Sequence, residues 1–213
     1  MWFCRTYTRN EAQEFLKKSG VQVLINTKAI GCDENTVLID SGVNIKTNMI
    51  IWTAGIKGNL VEGLTSDCYG RNGRLIVDEY NKVKGYENIY ALGDISFMTE
   101  EKYLKGHPQV AQMAIQQAKL LSDNLKRSIH GKPFKEFKYR DLGTMATIGK
   151  YLAVVELPYF HFQGVFAWFV WMFIHLMSIV GVRNKLLIFM NWAWKYFTYD
   201  QSTRLILRPK GYS

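Results

Sequence analysis

Residues 164–181 read GVFAWFVWMFIHLMSIVG, with no formal charge apart from a protonatable His175. No other feature narrows the fold as much, because such a run is stable only where its apolar surface leaves water. It can span a bilayer, fill a soluble core, or lie in a membrane surface. A spanning helix needs about 20 apolar residues, so the run sits at the lower edge of that range. On a helical wheel Gly164, Trp168, Trp171, His175 and Ser178 form a narrow stripe. Phe166, Phe169, Val170, Phe173, Ile174 and Met177 occupy the wider face. A thin polar seam on a broad apolar face suits a helix lying in the interface. A core helix stays open, since one side must pack.

The following NKLLIFMNWAWKYFT repeats the design, with Leu186, Phe189, Met190, Ala193 and Phe197 on one face and Asn191 and Lys195 on another. Trp192, Trp194 and Tyr196 are types that favour headgroup depth, and Arg183, Lys185 and Lys195 can meet anionic lipid. The residues expected at a membrane surface are Phe166, Trp168, Phe169, Phe173, Arg183, Lys185, Phe189, Trp192, Trp194 and Lys195. The terminal TRLILRP is again polar and strand-like, consistent with a chain that stays on one side.

Charge agrees with this placement. Net charge is +9, with 11 basic and 12 acidic residues in 1–100 but 16 and 6 in 101–213. A basic, aromatic half suits nucleic acid or an anionic lipid surface. The expectation here is lipid and no nucleic acid. Cys4, Cys32 and Cys68 lack a C-x-x-C spacing, which points to a reducing compartment and no metal. The opening MWFCRTYTRN is too short in apolar residues for a signal peptide.

Upstream, NEAQEFLKKSG predicts a short helix with Ala12, Phe15 and Leu16 on one face and Gly20 at its end. VQVLI predicts a strand, and TVLIDSGVNIKT a hairpin turning at DSG. MIIWTAG, a continuous apolar run, predicts a buried strand opening into a loop. RLIVDEY and NIYALGD predict two more short strands. From Pro108 the period becomes helical, with Ala111, Ala114, Ala118, Leu121 and Leu125 as the apolar stripe, Gly131 at the end, and Gln109, Gln112 and Gln116 on a different face. FKYRDLGTMATIGKYLAVVEL returns to strand composition.

The chain holds no G-x-G-x-x-G, Walker, H-E-x-x-H or G-x-S-x-G motif, and its four histidines have no metal-ligand spacing. The strongest local signal is NIYALGDIS, 88–96. A strand leads into Gly93, where a missing Cβ admits a ligand to the backbone. Asp94 follows at the strand's carboxyl end, where ligands of open α/β sheets bind. A carboxylate there can accept from sugar or ribityl hydroxyls, or merely form a turn.

With the upstream GRLIVDEYNKVKGYENIYALGD and the downstream HPQVAQMAIQQAK, this segment resembles the C-terminal part of the two-dinucleotide-binding flavoprotein oxidoreductases. AQMAIQQ (111–117), MIIWTAGIKGN (49–59), DLGTMATIGKYLAVVEL (141–157) and the aromatic block look like the type II NADH dehydrogenases, the single-subunit NADH:quinone oxidoreductases. The resemblance runs from about residue 11 to the end.

It implies an α/β fold, the C-terminal portion of a Rossmann-type flavoprotein with amphipathic membrane-anchoring helices. Residues 1–57 would be the late part of an NADH-binding domain, 58–157 the C-terminal part of an FAD-binding domain, and 158–213 the membrane-anchoring region. Both glycine fingerprints would lie in a missing N-terminal half. By resemblance Gly93, Asp94, Gln112, Thr53, Ala54 and Gly55 contact the cofactor FAD or admit the nicotinamide of NADH. Gln112, Gln116 and Lys150 would face the quinone. A glutamine can donate to a quinone carbonyl without introducing charge, although three glutamines are also an ordinary solvated face. Lys150 is equally a surface lysine after a turn. No catalytic acid or base is expected in this portion. The resemblance further implies a monotopic protein on the cytoplasmic face of the inner membrane, and leaves a homodimer open. The alternatives are a non-enzymatic membrane-interaction module and a sulfide:quinone type of flavoprotein.

Overall fold

A computed structural model describes residues 6–149, 151–178 and 181–198, and packing divides the chain into two units. One unit is Leu24–Leu142. It opens with an antiparallel sheet of β1 (Ala29–Asp33), β2 (Thr36–Ile39) and β3 (Asn44–Lys46) in that order. The expected hairpin forms there, with Val37 opposite Ile45 and Gly42 N–H donating to Ile39 C=O at 3.0 Å.

The two strands expected from VQVLI and MIIWTAG do not form. A strand needs a neighbour for its alternate N–H and C=O groups, and among the described residues neither segment has a ladder partner. Leu24, Ile51 and Trp52 therefore stand exposed, the last two at 77% and 68%. RLIVDEY contributes only β4 (Leu75–Ile76), paired in parallel with β5 (Ser96–Phe97). NIYALGD is an extended loop with one bridge, Tyr90 to Lys82, flanked by Val83 N–H to Ile89 C=O and Ala91 N–H to Asn81 C=O.

These irregular pieces enclose one core: Cys68, Leu75, Val77, Val83, Ala91, Met98, Met113 and Phe137. Met113 comes from α2 (Ala111–Ile129), the helix predicted after Pro108. It ends in a Schellman pair, Gly131 N–H to Ser128 C=O and Lys132 N–H to Arg127 C=O. Its buried face is Met113, Gln117, Leu121 and Asn124; Ala111, Ala118 and Leu125 of the expected stripe are exposed. Hydropathy misplaced the face because two of its four positions are amides. The Asn124 amide is satisfied by both backbone groups of Lys135, each at 2.8 Å.

The second unit joins Met1–Val23 to Gly143–Ser213. β6 (Thr144–Ile148), β7 (Leu152–Glu156) and β8 (His161–Gly164) form an antiparallel sheet in sequence order. α1 (Thr6–Lys18) lies against β6 and β7, burying Ala12 as its apolar face predicts. The aromatic block starts as β8, and only from Val165 does it become helical, in α3 (Val165–Ser178), followed by α4 (Val182–Thr198). Ala167 of α3 packs on Ala153 and Val155 of the sheet, with Trp168 and Trp171 beside it. The sheet thus takes part of the narrow stripe, and Phe166, Phe169, Phe173, Ile174 and Met177 of the wider face are exposed. Trp171 stacks on His175 at 4.3 Å and on Trp192 of α4 at 6.1 Å, tying the two helices together. Among the described residues no helix is long and apolar enough to cross a membrane. The terminal TRLILRP lies outside the described residues.

Candidate functional site

In unit 24–142 the polar machinery gathers where the loop 88–97 meets the start of α2. Gly93–Ile95 is a single 3-10 turn, entered with Gly93 at φ +67. A Cβ on Gly93 would stand 3.0 Å from the Ala114 Cβ. The glycine is thus required by the left-handed backbone and by the helix behind it.

Side chains hold the backbone on both sides of Asp94. Gly93 N–H donates to Gln117 Oε1 at 2.7 Å, and Ser96 Oγ donates to Gly93 C=O at 2.8 Å. Gln109 Nε2 donates to Asp94 C=O at 2.9 Å. Arg74, 7% exposed, sends Nε to Ser96 C=O at 2.9 Å and one terminal nitrogen to the carbonyls of Ser96 and His107. Its guanidinium also sits 5.3 Å from the centre of the Phe97 ring. Burial pulls the Arg74 pKa below its ordinary value, and the Asp94 charge opposes that shift. The Asp94 carboxylate itself is exposed and, among the described residues, has no hydrogen-bond partner. The turn is braced by Gln117, Ser96, Gln109 and Arg74, and its acid is free to accept.

Beside it α2 begins without a side-chain cap, since Val110 occupies the N-cap position. An apolar N-cap forgoes roughly 1 kcal/mol relative to Ser, Thr, Asn or Asp; Met113 N–H turns back to Val110 C=O at 3.0 Å, and the positive dipole end of the helix is left for another acceptor. His107, just upstream, is buried, with Nε2 at 3.2 Å from Glu100 Oε1 and Tyr103, Phe137 and Tyr139 around its ring. Burial lowers the His107 pKa, while the Glu100 charge works to raise it.

The structure brings two predicted glutamines together on one task. Gln116 exchanges both amide groups with the Arg140 backbone, at 2.9 and 3.1 Å, and Gln112 Oε1 accepts from Leu142 N–H at 3.0 Å. They fasten 140–142 alongside α2. Thr53, Ala54 and Gly55 are exposed in an open loop. That loop reaches the turn through Gly58, whose N–H donates to Asn72 C=O at 2.8 Å and whose backbone leaves no room for a Cβ against Gly73 and Ile95. Lys150 lies outside the described residues.

In the other unit Phe166, Phe169, Phe173, Phe189, Trp194 and Arg183 are exposed, while Lys185, Trp168 and Trp192 are half-buried. Trp168 faces the sheet core rather than outward. The Lys195 side chain lies outside the described residues. Sequence reading missed Arg74, Gln109 and Gln117. An arginine opening a strand and an amide at the i+4 position from a buried Met were the only signals available.

Residues 3–118 match the family model described as pyridine nucleotide-disulphide oxidoreductase, and residues 142–198 match the NDH2 C-terminal domain. The type II NADH:quinone oxidoreductase NdhA of Mycobacterium tuberculosis is 32% identical over 196 residues, 86% of this chain and 40% of its own length. The internal alternative NAD(P)H-ubiquinone oxidoreductase A1, mitochondrial, of Solanum tuberosum is 29% identical over 209 residues, 88% of this chain and 40% of its own. The chain therefore spans about two fifths of the curated relatives it matches. Among solved structures, NDH2 from Plasmodium falciparum in complex with NADH aligns with TM-score 0.78 at 17% identity, over 91% of this chain and 55% of that one. The sulfide:quinone oxidoreductase from Aquifex aeolicus aligns with TM-score 0.65 at 16% identity, over 92% and 50%. At these identities the likeness to both structures is one of fold.

Proposed function

We propose, since the chain belongs to the pyridine nucleotide-disulphide oxidoreductase family, that it is the flavin- and quinone-facing portion of a type II NADH:quinone oxidoreductase. The observation that carries this reading is the Gly93–Asp94 turn: side chains hold Gly93 N–H and the carbonyls of Gly93, Asp94 and Ser96, the Asp94 carboxylate is exposed and unpartnered among the described residues, and the turn stands beside a helix with no side-chain N-cap. Those features fit FAD. Asp94 would accept from ribityl hydroxyls, and the first turn of α2 would face the electron-rich part of the flavin ring. Bound there, FAD supplies acceptance of hydride from NADH and delivery of electrons to a quinone. The work of this chain's own residues is to bind, orient and exclude water. Thr53, Ala54 and Gly55, small and exposed, would let the nicotinamide approach.

Gln112 and Gln116 would border the quinone, and Lys150 is assigned to it by the family resemblance alone. Gln116 is committed through both amide groups to Arg140. Gln112 is engaged on both sides as well, its Oε1 accepting from Leu142 N–H at 3.0 Å and its Nε2 donating to Asp141 Oδ1 at 3.5 Å, so both amides would hold the wall of the quinone site. Residues 1–57, 58–157 and 158–213 would serve NADH, FAD and membrane respectively, completed by an upstream half that carries both glycine fingerprints, with a homodimer as the assembly. The exposed phenylalanines of α3 and α4 would rest the enzyme on a lipid surface, at the cytoplasmic face of the inner membrane. Sulfide chemistry gains nothing from these residues: Cys68 is buried and hydrogen-bonded to Thr65 C=O, and Cys32 sits in β1.

The test is to join this chain to the part of the M. tuberculosis relative that it does not span, and to measure flavin absorbance. The joined protein is expected to purify with FAD, and Asp94→Ala to lose it. The chain by itself is expected to bind FAD weakly or not at all. An Asp94→Ala protein that keeps its flavin with unchanged affinity overturns the assignment.

A further inference from the structure

Gln117 is fully buried at 0% exposure, on a helix face it shares with Met113 and Leu121. An amide there costs free energy unless its groups are answered, and an aliphatic side chain of similar length would fill the same volume. The Gln117 amide is answered by one short loop. Gly93 N–H donates to Oε1 at 2.7 Å, Nε2 donates to Ser96 Oγ at 3.2 Å, and Ser96 Oγ donates to Gly93 C=O at 2.8 Å. These three bonds close a ring with a single consistent direction. It fixes which way the amide points, because the flipped amide would set a donor against Gly93 N–H. Both polar groups of the Gly93 backbone are consumed inside the ring. One helical turn earlier, Ala114 supplies the gap in which Gly93 adopts its positive φ.

We propose that Gln117 is the positioning residue of this turn: from inside α2 it holds Gly93 and so sets the direction in which Asp94 presents its carboxylate. The assignment rests on the flavin reading above and adds to it the device that orients the acid. Gln109 and Arg74 complete the hold on the far side, at the carbonyls of Asp94 and Ser96. Adjacent glutamines thus have opposite duties. Gln116 grips the Arg140 backbone on one side of the helix, and Gln117 grips the turn on the other.

The test is residue-resolved amide exchange on the full 213-residue chain, comparing wild type with Gln117→Met and Gln117→Glu. Met keeps the volume and removes the acceptor, so the Gly93 amide is expected to exchange at least tenfold faster. The Val83 and Phe137 amides, bonded elsewhere in the same unit, report the accompanying loss of overall stability and should be accelerated at least tenfold less than Gly93. Glu is expected to restore Gly93 protection at pH 5, where a buried carboxyl stays neutral and offers both an acceptor and a donor. A Gly93 amide unaffected in Gln117→Met overturns the proposal. Equal acceleration of Val83 and Phe137 overturns it too, since that is what a residue contributing only to core stability would produce. The flavin reading fails separately: a joined protein that purifies without FAD, while Gly93 keeps its Gln117-dependent protection, removes the purpose of the device and leaves its geometry intact.

Discussion

Replacing Arg74 with Met puts the whole arrangement of unit 24–142 under load. Arg74 is 7% exposed, and its guanidinium serves two carbonyls, Ser96 on the turn and His107 ahead of α2. Met fills most of the space and can keep contact with the Phe97 ring, so cavity formation adds little. What is lost is the donor set. Each stranded buried carbonyl costs about 1–3 kcal/mol, giving roughly 2–6 kcal/mol for two. The relief of no longer burying a charge offsets part of that, and about 3 kcal/mol is the expected net loss. Exchange of the Val77, Val83 and Phe137 amides reports it, because their partners, the carbonyls of Phe97, Ile89 and Glu79, all lie in the same unit. At 1.4 kcal/mol per tenfold, those amides should exchange on the order of 100-fold faster wherever they open by global unfolding. Lysine is expected to be little better than Met, since one compact ammonium cannot span both carbonyls as the fork does. Exchange within a factor of two of wild type in Arg74→Met would refute the claim that this side chain ties the turn to the helix.

Three further expectations concern other parts of the chain. The His107 pKa is lowered by burial from its ordinary 6.5, so the unfolded chain binds more protons just below that value. Stability should therefore be full above about pH 6.5 and fall on acidification, and His107→Phe should flatten that slope in urea titrations at pH 7 and 5.5; an unchanged slope contradicts it. Asn124→Leu strands both backbone groups of Lys135 and should cost about 2–4 kcal/mol by the same exchange measurement, and an effect below 0.5 kcal/mol would contradict it. Serine at Phe169, Phe173 and Phe189, all exposed, should release the joined protein from liposomes in flotation, with NADH oxidation by a soluble acceptor retained; continued flotation counts against a membrane role.

How far the sequence could be read follows from which interactions are local. The DSG hairpin, α2 with its Gly131 end and both aromatic helices rest on turn residues and periodicity, and they form where expected, whereas the strand expected to lead into Gly93 is an extended loop ending in a 3-10 turn. MIIWTAG was misjudged because a strand is a relation between two segments, and an apolar run carries no record of whether a neighbour is present. The buried face of α2 was misjudged for a related reason. Gln117 and Asn124 are polar by type and interior by circumstance, since each is answered by backbone far along the chain. The Asp94 site was legible as a residue. Its supports, Arg74, Gln109 and Gln117, came into view only when the fold brought positions 74, 93–96 and 107–117 together.

The proposed role of this chain is to turn a bound flavin towards a lipid-soluble acceptor. Steady-state NADH oxidation by the flavin-loaded joined protein on quinone-containing liposomes tests it most directly. NADH-dependent reduction of the membrane quinone is expected, lost with the three phenylalanine substitutions, while a soluble acceptor is still reduced. A flavin-loaded protein that reduces the soluble acceptor but never the membrane quinone would contradict it.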